Sequence, residues 1–119
     1  MNIHIHHHDL EMTDAMRQYA LDKIGQIEKY IKGHSNADLD IEIGKTSKHH
    51  KQGDHYLVKV NLKFGNRKIH IETVAADAYA AIDSAKDKLV EDVSEEKDKK
   101  NSVLRKIARK IKDSLKFGK

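Results

Sequence analysis

The chain has no cysteine, no proline and no tryptophan, and only six glycines among 119 residues. Without cysteine there is no disulfide framework, no thiolate zinc site and no thiol nucleophile, a composition that fits a reducing, cytoplasmic compartment. Without proline, no Pro-rich linker divides the chain. No apolar run approaches the roughly 20 residues that a membrane span needs. The start, Met1-Asn2-Ile3-His4-Ile5, lacks the charged region and apolar stretch of an export signal. Leu, Ile, Val and Phe together supply 28 residues, which suffices for one modest core and not for two domains.

Charge is what the chain has in quantity. Lys and Arg number 23 against 19 Asp and Glu, a formal net charge of +4. Residues 1–76 hold 11 basic and 10 acidic side chains, residues 77–98 hold 3 and 8, and residues 99–119 hold 9 and 1. The pattern divides the chain into a body over 1–98, acidic at its end, and a basic tail over 99–119; such charge blocks face partners, pair with one another or are simply solvated.

Residues 2–8 alternate Ile3 and Ile5 with His4, His6 and His8, as a half-buried strand does. Thr13 with Asp14 reads as a helix start, and Met16, Ala20, Ile24, Ile27 and Ile31 recur at helical spacing until Gly33. Leu39, Ile41 and Ile43 alternate with Asp38, Asp40 and Glu42 in a second strand expected to end at Gly44. A polar loop with Lys45, Lys48, His49, His50 and Lys51 follows, up to His55. Val58, Val60, Leu62 and Phe64, the Gly65-Asn66 turn, then Ile69 and Ile71 form a hairpin. Asp77 caps a last helix with Tyr79, Ile82, Leu89 and Val93 on its apolar stripe, and Lys86 within that stripe is expected to snorkel outward. These elements predict an α+β domain of order β-α-β-β-β-α: a four-stranded sheet with two helices on one face and a polar opposite face. Beyond Asn101-Ser102, Val103, Leu104, Ile107, Ala108, Ile111 and Leu115 share one side of a C-terminal basic amphipathic helix or tail.

Two stretches carry a family resemblance. Ile3-x-Ile5 leading to Met12-Thr13-Asp14-Ala15-Met16-Arg17-x-Tyr19, then Lys23-Ile24-x-x-Ile27-Glu28-Lys29-Tyr30, resembles the ribosome hibernation-promoting factor family, also called ribosome-associated inhibitor A or protein Y. Asp77-x-Tyr79-x-Ala81-Ile82-Asp83 with Lys88-Leu89 is similar to that family's second signature. The resemblance spans about residues 1 to 93. It implies a topology related to double-stranded-RNA-binding domains, no enzymatic activity, no cofactor and no small-molecule substrate. It also implies binding to the small ribosomal subunit and its rRNA, in the channel used by mRNA and tRNA, under stress or in stationary phase. Long members add a dimerisation domain; the roughly 20 residues left here point to a short form.

By the same resemblance Arg17, Lys23, Lys29 and Lys88 match basic positions of the family, where phosphate contact needs positive charge on an exposed surface. Charge and placement add Lys86, Lys59 and Lys63 from the body and Arg105, Lys106, Arg109 and Lys110 from the tail as candidate rRNA contacts. The sequence departs from the family on the outward side of the second helix, where Asp87, Glu91, Asp92, Glu95 and Glu96 stand and would repel phosphates. Three roles stay open for the tail: RNA contact, docking on the acidic helix or on a second copy, or lying on a membrane surface. RNA contact is the favoured one, since the apolar stripe has no aromatic residue until Phe117.

Other chemistry fits the residues less well. His4, His6 and His8 with His70 and Glu72 offer zinc ligand types, but strand spacing alone does not converge them, and a polar RNA-facing surface is the preferred reading. Gly44-Lys45-Thr46 lacks the earlier glycine of a phosphate-binding loop. Asp38, Asp40 and Glu42 read as a solvated face. No serine or threonine sits at a nucleophile elbow. The competing functions are an RNA-binding regulator that does not act on the ribosome and, more remotely, a His-metal hydrolase.

Overall fold

The structure, a computed structural model, describes residues 1–32, 36–46, 55–94 and 107. Strand β1 (Asn2–His8) is followed by helix α1 (Asp14–Ile24), a 3₁₀ segment (Gly25–Tyr30), β2 (Ala37–Thr46), β3 (His55–Phe64) and β4 (Arg67–Ala75). A second helix, α2, is described over 78–94. The strands lie in the order β1-β2-β3-β4, with β1 parallel to β2 and the other two pairs antiparallel. β1 and β2 are joined through α1, the kind of crossover that parallel neighbours require, so the sheet is mixed.

Chain reversals follow from local chemistry. Asp9 leaves β1 at φ 56°, a left-handed conformation that a short polar side chain tolerates. Thr13 then caps α1, its Oγ1 accepting from Met16 N–H at 3.1 Å, with Asp14 in the first turn complementing the helix dipole. Asp77 caps α2 by accepting from Ala80 N–H at 3.3 Å. Gly65, at φ 57°, opens the tight turn that returns β3 into β4.

The core is one layer between sheet and helices. Leu39, Ile41, Ile43, Val58, Val60, Leu62, Phe64, Ile69 and Ile71 from the sheet bury against Ala20, Ile24, Ile27, Ala81, Ile82, Ala85, Leu89 and Val93 from the helical layer. Ile3 and Ile5 pack at its margin. The alternate strand residues are therefore left on the other face, so both helices cover one side only. Thr73 Oγ1 donates to the Ala81 carbonyl at 2.8 Å, tying β4 to α2.

Two boundaries differ from the sequence expectation. The first helix is not one α-helix to Gly33: it tightens to 3₁₀ at Gly25. Glycine at that junction weakens the α-form, while the Ile24 to Ile27 spacing of three suits the 3₁₀ repeat equally well. Gly44 does not end β2, which runs on to Thr46. Gly44 lies opposite His8, and a Cβ there would fall inside the His8 imidazole, so glycine provides the floor on which that ring rests. The loop residues Lys48, His49, His50 and Lys51, the acidic Glu95 and Glu96, and the tail candidates Arg105, Lys106, Arg109 and Lys110 lie outside the described residues.

Candidate nucleic-acid interface

The remaining basic candidates fall on two opposite faces. On the helical layer, Arg17 of α1, Lys29 of the 3₁₀ segment and Lys88 of α2 are exposed. Among the described residues no carboxylate pairs with any of the three. Lys86 is half-buried, with its Nζ 3.7 Å from the exposed Asp87 carboxylate. Asp87 and Glu91 are exposed on the same helix; α1 sets Arg17 and Lys23 against Asp14 and Asp22 and is neutral, whereas α2 sets Lys86 and Lys88 against Asp83, Asp87, Glu91 and Asp92 and is net acidic.

Lys23 is also half-buried, and its position depends on residues that the sequence reading quoted without a role. The Tyr19 hydroxyl donates to Asp83 Oδ1 at 2.6 Å, and the Tyr19 and Tyr79 rings meet edge to face at 5.0 Å and 72°. The Lys23 ammonium sits 5.6 Å from the centre of the Tyr19 ring, within cation–π range. The two sequence signatures thus meet at the seam between α1 and α2. No spacing rule links Tyr19 to a residue 64 positions away, so the pairing left no local signal.

Donation to the Asp83 carboxylate, with partial burial and the charges of Asp83 and Asp77 adding to it, raises the Tyr19 phenol above the usual tyrosine range. A folded value above the unfolded one means that the bond stabilises the fold fully below about pH 10 and is lost as pH rises through the folded value. Thermal melts between about pH 8 and pH 11 should therefore show a steeper alkaline fall for the parent than for Tyr19→Phe. Parallel curves would mean that the Tyr19–Asp83 bond does not contribute to stability.

Lys59 and Lys63 lie on the opposite, outward face of the sheet. Cross-strand register sets four rows there: Asn2-Asp38-Lys63-Lys68, His4-Asp40-Asn61-His70, His6-Glu42-Lys59-Glu72 and His8-Gly44-Leu57-Val74. Lys59 stands between two glutamates, whereas Lys63 has Lys68 beside it, a basic neighbour that alternation past the Gly65 turn puts in place and that the sequence reading missed. An open concavity of about 470 Å³ lies over the first two rows. His70 places Nδ1 2.7 Å from Asn61 Oδ1 and Nε2 3.2 Å from Glu72 Oε1. His8 places Nδ1 3.3 Å from Asp9 Oδ2 and Nε2 3.5 Å from Glu42 Oε1. Among the described residues no three His, Asp or Glu side chains converge on a metal-sized centre. Alternate strand positions are about 6.6 Å apart and project in parallel, so His4, His6 and His8 do not meet.

Fold and faces together define a small α+β domain, with a helical layer that exposes Arg17, Lys29 and Lys88 among acidic side chains, a mixed-charge sheet surface and one apolar core between them. The chain belongs to the family described as sigma 54 modulation protein / S30EA ribosomal protein, which it matches over residues 3–101. It is 26% identical over 99 residues to the ribosome hibernation promoting factor of Salmonella typhimurium, covering 83% of this chain and 96% of that protein. The ribosome hibernation promotion factor of Lactococcus lactis is 33% identical over 95 residues, covering 78% of this chain and 48% of that protein. Among solved structures, the Thermus thermophilus protein Y N-terminal domain superposes with a TM-score of 0.65 at 28% identity, covering 78% of this chain and 96% of that one. A ribosomal subunit interface protein from Coxiella burnetii shares the fold, with a TM-score of 0.66 at 19% identity over 82% of this chain. The resemblance read from the two motifs is therefore borne out.

Proposed function

We propose that this protein is a non-catalytic ribosome hibernation factor of the cytoplasm, binding the small ribosomal subunit in the mRNA and tRNA channel and stopping initiation by occupying it. The observation that carries the reading is the family match over residues 3–101, together with a relative named ribosome hibernation promoting factor, that of Salmonella typhimurium, of which 96% is covered. Steric occlusion needs no bond-making chemistry, only a folded body of the right size held by phosphate contacts. Arg17, Lys23, Lys29 and Lys88 on the helical layer make those contacts in this reading, with the tail residues Arg105, Lys106, Arg109 and Lys110 adding charge that the acidic α2 lacks.

Sedimentation of the full chain with purified ribosomes through a sucrose cushion tests it. Pelleting at about one copy per small subunit, weakening as salt rises, is the expected result. A protein that stays in the supernatant at low salt while still binding free RNA would instead be an RNA-binding regulator acting away from the ribosome.

A further inference from the structure

We infer that the outward sheet face is a second, proton-gated surface for an RNA phosphate backbone, closed by its acidic row near neutral pH and opened when its histidines are charged. Among the described residues the charged groups around these histidines are Asp9, Asp38, Asp40, Glu42 and Glu72 against Lys59, Lys63 and Lys68. Five carboxylates against three lysines leave the face two charges negative while its imidazoles are neutral. His4, His6 and His8 from β1, His55 from β3 and His70 from β4 lie on the same face; charging all five makes it three positive. Histidine is the side chain whose charge changes across the physiological pH range, and protonation of these side chains would reverse the sign of this surface.

The placement supports more than a count. His4 lies directly across from Asp40 and His6 from Glu42, so the edge strand sets an imidazole beside the acids that repel phosphate. A neutral imidazole has one N–H and one lone pair, and only imidazolium donates from both nitrogens. At His8 both nitrogens face carboxylates, and at His70 one faces Glu72 and the other the Asn61 amide oxygen, so each finds acceptors on both sides once it is charged. Protonation would thus offset Asp40, Glu42 and Glu72 locally, leaving Asp38 as the one acid in the row of Lys63 and Lys68, which are adjacent across β3 and β4 and placed to meet phosphate. Both lysines, His4, His6 and His70 are exposed. The inference stands apart from the ribosome reading, which uses the helical layer.

The test is fluorescence anisotropy of the full chain on a labelled single-stranded RNA of about 20 nucleotides, at about pH 7.5 and about pH 5.5 and constant ionic strength. The parent should bind roughly tenfold or more tightly at the lower pH, with a steeper salt dependence. His4→Gln, His6→Gln, His8→Gln and His70→Gln combined, with folding checked by circular dichroism, should reduce that ratio to less than about threefold. Asp40→Asn with Glu42→Gln is an independent arm, expected to bring tighter binding to pH 7.5 and so to shrink the ratio even if the quadruple variant fails to fold. Arg17→Glu with Lys29→Glu should weaken binding at both pH values and keep the ratio. A parent without pH dependence, an undiminished ratio in the folded histidine variant, or an unchanged ratio in the Asp40 and Glu42 variant overturns the proposal. Ribosome sedimentation near neutral pH reads the other face, so failure there leaves the pH ratio on free RNA intact.

Discussion

Replacing Ile41 with alanine is expected to destabilise the domain by about 2–5 kcal/mol, the range for truncating a fully buried aliphatic side chain. Ile41 sits mid-strand in β2, with Ile5 across the parallel ladder and Val60 across the antiparallel one, and it has no solvent exposure. Neighbours held in sheet register on both sides cannot collapse far into the space left behind, which places the cost toward the upper part of that range. Small domains have only about 5–15 kcal/mol in total, so a large share of the stability goes with one side chain. Urea unfolding followed by circular dichroism reads this as a lower midpoint at constant slope. A loss below about 1 kcal/mol would mean that the helices do not seal this face of the sheet.

Reversing charge on the helical layer with Arg17→Glu, Lys29→Glu and Lys88→Glu is expected to weaken ribosome binding by roughly 100-fold or more and to flatten its salt dependence. Each lost phosphate contact removes nearly one unit of slope, and each introduced carboxylate adds repulsion. The three positions are exposed, so stability should change by only about 0.5 kcal/mol or less per site. Lys59→Glu with Lys63→Glu, on the opposite face, is the contrast. Lys59 already lies between Glu42 and Glu72 and Lys63 beside Asp38, so near neutral pH this pair should cost less than about threefold. Sedimentation at graded salt separates the two faces. The reverse ranking would move the ribosome contact from the helices to the sheet.

Much of the fold was legible in the residues because burial on one side of a strand or helix imposes its own period. Ile3 and Ile5, then Leu39, Ile41 and Ile43, announced strands by alternation, and Thr13 and Asp77 announced helix starts by their side-chain oxygens. The errors fell where two local rules compete. Ile24 and Ile27, three apart, satisfy α and 3₁₀ spacing alike, so the change of helix type at Gly25 left no trace in the pattern. A glycine after an alternating run reads as a strand end, yet Gly44 continues β2 because an imidazole from the neighbouring strand occupies the space over it.

Of the candidate interface, the sequence alone determined which residues carry charge and which of them stand on the outward side of each element. Both follow from side-chain chemistry and the periods of 2 and 3.6, which are properties of a single segment. Tertiary structure alone decided which segments are neighbours. It divided the basic residues between two opposite faces, set Lys63 beside Lys68 and Lys59 between glutamates, and brought Tyr19 to Asp83 beneath Lys23. Cross-strand register and helix packing are set by burial of the whole apolar face at once, so charges distant in the chain become neighbours without any local signal.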